Sequence, residues 1–293
     1  MPQIMKISKA LKKYSLIPME YLKVDNAYII NTKKGKYVFK NETINQKIYN
    51  YLKSRNFDYI PRIITPATEP YFIRKYEENY DIPSEQKMTD LINIVALLHN
   101  KTTHYKEVDS TYYDELYNDL DGNIEYLYTY YTDLIAIIET KVYMSPSEYA
   151  LARNITAVYN ALDVCRDLLE KWKEKTKDKQ KIRNVVIHNN LSLEHFITND
   201  NPYLISWSKA KVDCPVFDLY KLYKKHGLDY NFEELFKLYE KHYPLKEDER
   251  YLLYILISLP DIIEFKGDTY IETKNISRLI TNIYKTKQII KKA

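Results

Sequence analysis

Val186-Ile187-His188-Asn189-Asn190-Leu191-Ser192-Leu193-Glu194-His195-Phe196-Ile197 is the stretch on which the fold turns. The apolar run Asn184-Val185-Val186-Ile187 leads into it. A second run, Tyr203-Leu204-Ile205, follows a polar segment containing Asn199-Asp200-Asn201-Pro202. Both runs have the length of strands and turn residues separate them, so a small hairpin is expected over residues 184–208. Helical periodicity surrounds it. Upstream, Leu151, Ile155, Val158, Leu162, Cys165, Leu168 and Trp172 form one stripe of a long helix over Pro146–Lys179, with charges on the other face. Downstream, Leu219, Leu222, Leu235, Leu238, Tyr251–Leu259 and Ile276–Ile290 are helical again.

The first residues have another character. Beyond a short amphipathic stretch around Ile7–Leu16, residues Ala27–Lys40 alternate and are broken once, at Lys33-Lys34-Gly35, which is a hairpin signature. Ile44, Ile48, Tyr51 and Leu52 sit at helical spacing. Pro61, Pro66 and Pro70 then punctuate two short apolar runs, Ile63-Ile64 and Tyr71-Phe72-Ile73. The period turns helical at Ser84, where Met88, Leu91, Ile92, Val95, Leu98 and His99 recur at three and four residues. A β-rich part over 1–78 and a larger, mainly helical part over 79–293 make the fold class α+β.

Composition narrows the function classes. The chain has 293 residues, 45% hydrophobic and 29% charged, which is ordinary for a globular protein with a sizeable core. A net charge of +4 spread along this length argues against a nucleic-acid surface. No run approaches a membrane span, and no apolar stretch follows the lysines near the N-terminus as a secretory signal requires. Two cysteines, Cys165 and Cys214, lie far apart, which supports neither a disulfide framework nor a thiolate metal site and suits a reducing, cytoplasmic setting.

Two segments after the opening stretch complete the pattern: Ile205-Ser206-Trp207-Ser208, then Asp213-Cys214-Pro215-Val216-Phe217-Asp218-Leu219. In this order they resemble the aminoglycoside phosphotransferase and choline kinase superfamily. In that family an apolar strand leads into His-Gly-Asp-x-x-x-x-Asn, an Ile-Asp-Phe/Trp-Asp/Glu strand follows, and Asp-Pro-x-x-Asp-Leu opens a helix. The resemblance implies a two-lobed, protein-kinase-like fold with the expected hairpin as its catalytic loop. It puts Asn190 at the catalytic base, His195 at a magnesium-binding asparagine and Ser206 at a magnesium-binding aspartate. His188 and Asp218 fall on scaffold positions. Lys36-Tyr37-Val38-Phe39-Lys40 resembles the strand bearing the phosphate-contacting lysine, here Lys40. Tyr76-Glu77-Glu78 resembles the interlobe hinge, so Glu77 and Glu78 are carried over as nucleotide-binding positions. Met144-Ser145-Pro146, ahead of the long helix and an altered loop, is most similar to the kinase-like spore-coat proteins of Firmicutes, and that likeness implies association with the spore.

The changes bear directly on chemistry. An amide at position 190 cannot take a proton from a hydroxyl, and loss of general-base help costs on the order of 10²- to 10⁴-fold in rate. A serine hydroxyl at 206 brings no charge to a magnesium ion, and a neutral histidine at 195 is a poor ligand for one. The stretch before the lysine strand, Val24-Asp25-Asn26-Ala27, has no glycine for close approach to phosphates. ATP and magnesium are the cofactors the family implies, and these substitutions count against both. A catalytically inactive pseudokinase, serving as a binding or scaffold module for a small molecule or protein, is therefore expected. Two alternatives stay open: a divergent ATP-dependent small-molecule phosphotransferase with a carboxylate relocated to Glu194, Asp200 or Asp213, and a nucleotide sensor without turnover. Lys40 also has a plainer reading, as a lysine guarding an exposed strand edge.

Overall fold

The computed structural model describes residues 2–43, 45–66, 68–109 and 111–291; Ile44, on which the sequence reading drew, lies outside them. Along the chain come α1 (Pro2–Lys12), β1 (Pro18–Val24), β2 (Ala27–Thr32), β3 (Gly35–Lys40), α2 (Gln46–Ser54), β4 (Phe72–Lys75) and α3 (Ser84–Thr102). Next are β5 (His104–Glu107), α4 (Thr111–Glu139), α5 (Pro146–Thr176) and β6 (Lys181–Ile187). The strands β7 (Phe196–Ile197), β8 (Tyr203–Leu204) and β9 (Lys211–Asp213) precede α6 (Val216–His226), α7 (Phe232–His242), α8 (Glu247–Ser258) and α9 (Thr269–Lys291). The composition is α+β, as expected. Two compact units divide it. The first takes the chain up to Thr102 together with Val186–Asp213, and the second takes Thr103–Val185 together with the residues from Cys214 onward.

In the first unit, β1 to β4 form an antiparallel sheet in sequence order. The expected hairpin is β2–β3, with Ile29 opposite Val38 and Thr32 opposite Gly35. Gly35 has φ +117°, which a side chain would resist, so the single glycine of Lys33-Lys34-Gly35 is what lets the strand turn. One face of the sheet is closed by α1, where Ile7 and Leu11 pack on Ile30, Phe39 and Ile73. Because side chains alternate along a strand, Ile29, Val38 and Arg74 are left on the opposite face. β3 lies between β2 and β4, so Lys40 does not guard a sheet edge.

The hairpin expected over 184–208 is corrected. Residues 181–184 of β6 pair with β5 instead, and β8 pairs with β7. The polar segment 199–202 does form the turn, but the strand entering it is Phe196-Ile197, too short to show a period. In the second unit α5 follows a capping box in which Ser145 and Glu148 satisfy each other's backbone N–H groups, and it packs against α4, α8 and α9. Half-buried Arg183 donates from Nε to Glu249 Oε1 at 2.8 Å and from Nη2 to Oε2 of the same carboxylate. Among the described residues no helix is long and apolar enough to cross a membrane.

Candidate functional site

β6 is followed at once by His188, which is fully buried. Its Nε2 lies 2.8 Å from the carbonyl of Ile205, and its ring stands edge-on to Trp207 with centroids 4.7 Å apart. The chain then turns sharply. Asn189 adopts φ 60° and donates from Nδ2 to the Lys209 carbonyl at 2.9 Å, tying the start of the loop to the segment after β8. A single 3-10 turn, Leu193–His195, is capped by buried Ser192 and returns His195 toward the loop. There His195 Nδ1 is 2.7 Å from the Asn190 carbonyl, and His195's own carbonyl accepts from the Ile205 N–H at 2.8 Å. A carbonyl can only accept, so Nδ1 is the donor in this contact.

The open face of the sheet and this loop together line a cavity of about 840 Å³, all of it within the first unit. Lys40, Asn190, His195 and Ser206 are among its lining residues, so four positions far apart in sequence share one cavity. The Lys40 ammonium pairs with Glu42 at 2.5 Å. This partner precedes α2, where Gln46 and Lys47 occupy the helix positions at which a glutamate would be sought. The rim is the two-residue turn between β1 and β2, Asp25-Asn26, with Asp25 at φ 48° and no glycine. Ser206 is left-handed too, at φ 67° and ψ 47°.

The other sequence-derived positions are elsewhere. Glu77 and Glu78 are exposed, and Glu77 accepts from Asn199 Nδ2 at 3.0 Å; the neighbouring cavity residue is Tyr76. His188 lies buried behind the loop. Asp218 is fully buried in the first turn of α6, in the second unit. Of the three carboxylates considered as relocated ligands, Glu194 lines the cavity, Asp213 pairs with Lys211 at 2.5 Å, and Asp200 hydrogen-bonds the Tyr80 hydroxyl and so raises its pKa.

Comparison with solved structures places this arrangement. An aminoglycoside phosphotransferase from Alicyclobacillus acidocaldarius superposes with a TM-score of 0.72 at 10% identity, over 94% of this chain and 91% of that one. The AMP-bound spectinomycin phosphotransferase does so with a TM-score of 0.58 at 13% identity, over 96% and 97%. This chain has the aminoglycoside phosphotransferase fold. No protein-family model matches the chain, and no curated protein matches it either. At such low identity the likeness concerns the phosphotransferase fold alone.

At the two positions that the resemblance assigns to magnesium ligands, His195 and Ser206, the chain offers donors poorly suited to that ion. Among the described residues no three histidines, cysteines or carboxylates come together to hold a metal. The positions carried over as ligands offer an imidazole and a hydroxyl. The cavity lining offers cationic groups, Lys23, Lys40, Arg74 and Lys209, beside the carboxylates Asp25, Glu42 and Glu194 and apolar walls. One of them, Arg74, escaped the sequence reading. In the sequence it is one arginine of the short strand Phe72-Ile73-Arg74-Lys75, which is too short to mark the face it takes.

Proposed function

We propose that this chain is a pseudokinase of the aminoglycoside phosphotransferase fold, a module that receives a small molecule or protein partner without transferring a phosphoryl group. The observation that carries this reading is that Lys40, Asn190, His195 and Ser206 line one cavity, and the sequence resemblance assigns the last three to base and metal-ligand positions. Losing the base alone would leave a slow enzyme, but without an anionic ligand the magnesium that neutralises charge on the transferred group has no anchor. Likeness to the kinase-like spore-coat proteins supports a cytoplasmic or spore-associated setting, and a β-rich lobe over 1–78 with a helical lobe over 79–293 is part of the same reading.

The test is phosphate release and transfer from ATP with magnesium, with a panel of aminoglycosides and choline as acceptors. We expect no turnover above a denatured control. Turnover at ordinary kinase rates, about 1–100 per second, would overturn the proposal. A second reading draws on Glu194, the one relocated-ligand candidate that lines the same cavity as Lys40. It makes the chain a divergent phosphotransferase, and any turnover would then vanish in Glu194→Gln.

A further inference from the structure

Arg74 is 8% exposed and lines the cavity, on the sheet face that α1 leaves open. Its Nη1 donates to the Lys75 carbonyl at 3.2 Å and to the Tyr203 hydroxyl at 3.1 Å, both neutral acceptors. The Tyr203 ring lies 5.9 Å from the guanidinium carbon. Among the described residues the guanidinium has no carboxylate partner, and its Nε and Nη2 make no hydrogen bond to protein. Lys40, by contrast, has Glu42. Neither Nε nor Nη2 of Arg74 is among the buried polar atoms left without a partner, so both reach the open space of the cavity, where an entering oxyanion meets them. Planar Arg is also suited to grip an oxyanion through two parallel N–H bonds. Tyr203 holds the group in place from β8, and Val38, opposite Arg74 in the sheet register, supplies an apolar neighbour.

We infer that Arg74 is the anion-recognition residue of this cavity, gripping the phosphate or carboxylate of a small organic ligand directly, with no metal ion between them. This rests on the reading of the cavity as a binding site, but it fails separately: turnover would overturn the pseudokinase proposal, whereas only a binding result bears on Arg74. Phosphate esters and carboxylates share the required chemistry.

Thermal shift on the full chain, in magnesium-free buffer with EDTA, is the experiment. The probes are inorganic phosphate, ATP and benzoate, each against potassium chloride of equal ionic strength. The expected result is saturable stabilisation by phosphate and ATP, or by benzoate, according to which oxyanion the site takes. Arg74→Met should weaken that binding roughly tenfold or more, while its ligand-free protein melts no lower than the wild type. Lys75→Met, on the opposite side of the same strand, should bind as the wild type does. Should Arg74→Met fail to fold, Tyr203→Phe answers instead, since it frees the guanidinium from its anchor and should also weaken binding. Two results would overturn the inference: no anion stabilises the wild type beyond the salt control, or the folded Arg74 or Tyr203 variant binds unchanged.

Discussion

Asn189 and Ser206 both take left-handed backbone conformations without being glycine, one at each side of the loop that carries Asn190. Asparagine tolerates this because its short amide can bond locally, as Asn189 does to Lys209. Serine has less excuse, and Ser206 makes no capping hydrogen bond for the 3-10 turn that follows it. A left-handed L-residue costs roughly 1–2 kcal/mol, and glycine gives back roughly 0.5–1 kcal/mol through its freer unfolded chain. Ser206→Gly should therefore stabilise the protein by about 0.5 kcal/mol, seen as a higher urea midpoint at unchanged slope. A lower midpoint would mean that the hydroxyl supports the loop. Asp25, at the rim of the cavity, is left-handed as well, while Ser15 and Asn56, away from the cavity, take the same conformation after α1 and α2.

Elements were legible where burial imposed a period. α3 buries Met88, Leu91, Ile92, Val95, Leu98 and His99, the stripe read from the sequence, and α5 buries Leu151, Val158, Leu162, Cys165, Leu168 and Trp172. α4 was not distinguished as an element because tyrosines stand on all its faces and blur the stripe formed by Leu120, Ile124, Leu127, Tyr131, Ile135 and Ile138. β1 is largely exposed, so no alternation marks it. The entry to α5 yields a sharper test. Glu148 is held below the usual carboxylate range, first by the hydrogen bond from Lys141 and then by the Ser145 backbone N–H. Because its folded pKa is the lower one, its stabilisation is complete above the ordinary value of 4.5 and is lost as pH falls through the folded value. Glu148→Gln should lower stability by about 1 kcal/mol at pH 7, and the gap to wild type should narrow in acid. Urea titrations at neutral and acidic pH check both; a gap that stays constant with pH would remove the carboxylate from the account.

Across the whole molecule, the sequence located the loop through its run of residue types, and Lys40, Asn190, His195 and Ser206 do line one cavity. Arg74 was hidden because an arginine in a four-residue strand gives no hint of which face it takes until the register with β3 is known. Both cysteines lie in the second unit, Cys165 fully buried and Cys214 at 4% exposure. Burial pushes the Cys165 thiol up to about 12, so almost no thiolate exists there at pH 8, and packing denies a reagent access in any case. The native protein should leave both thiols unmodified by an aromatic disulfide reagent at pH 8 over hours, and two equivalents should react once urea unfolds the second unit. Since the first unit contains neither cysteine, the same reaction run at intermediate urea reads the opening of the second unit alone. A thiol that reacts within minutes in native buffer would show that the helices around α5 open far more readily than their packing implies.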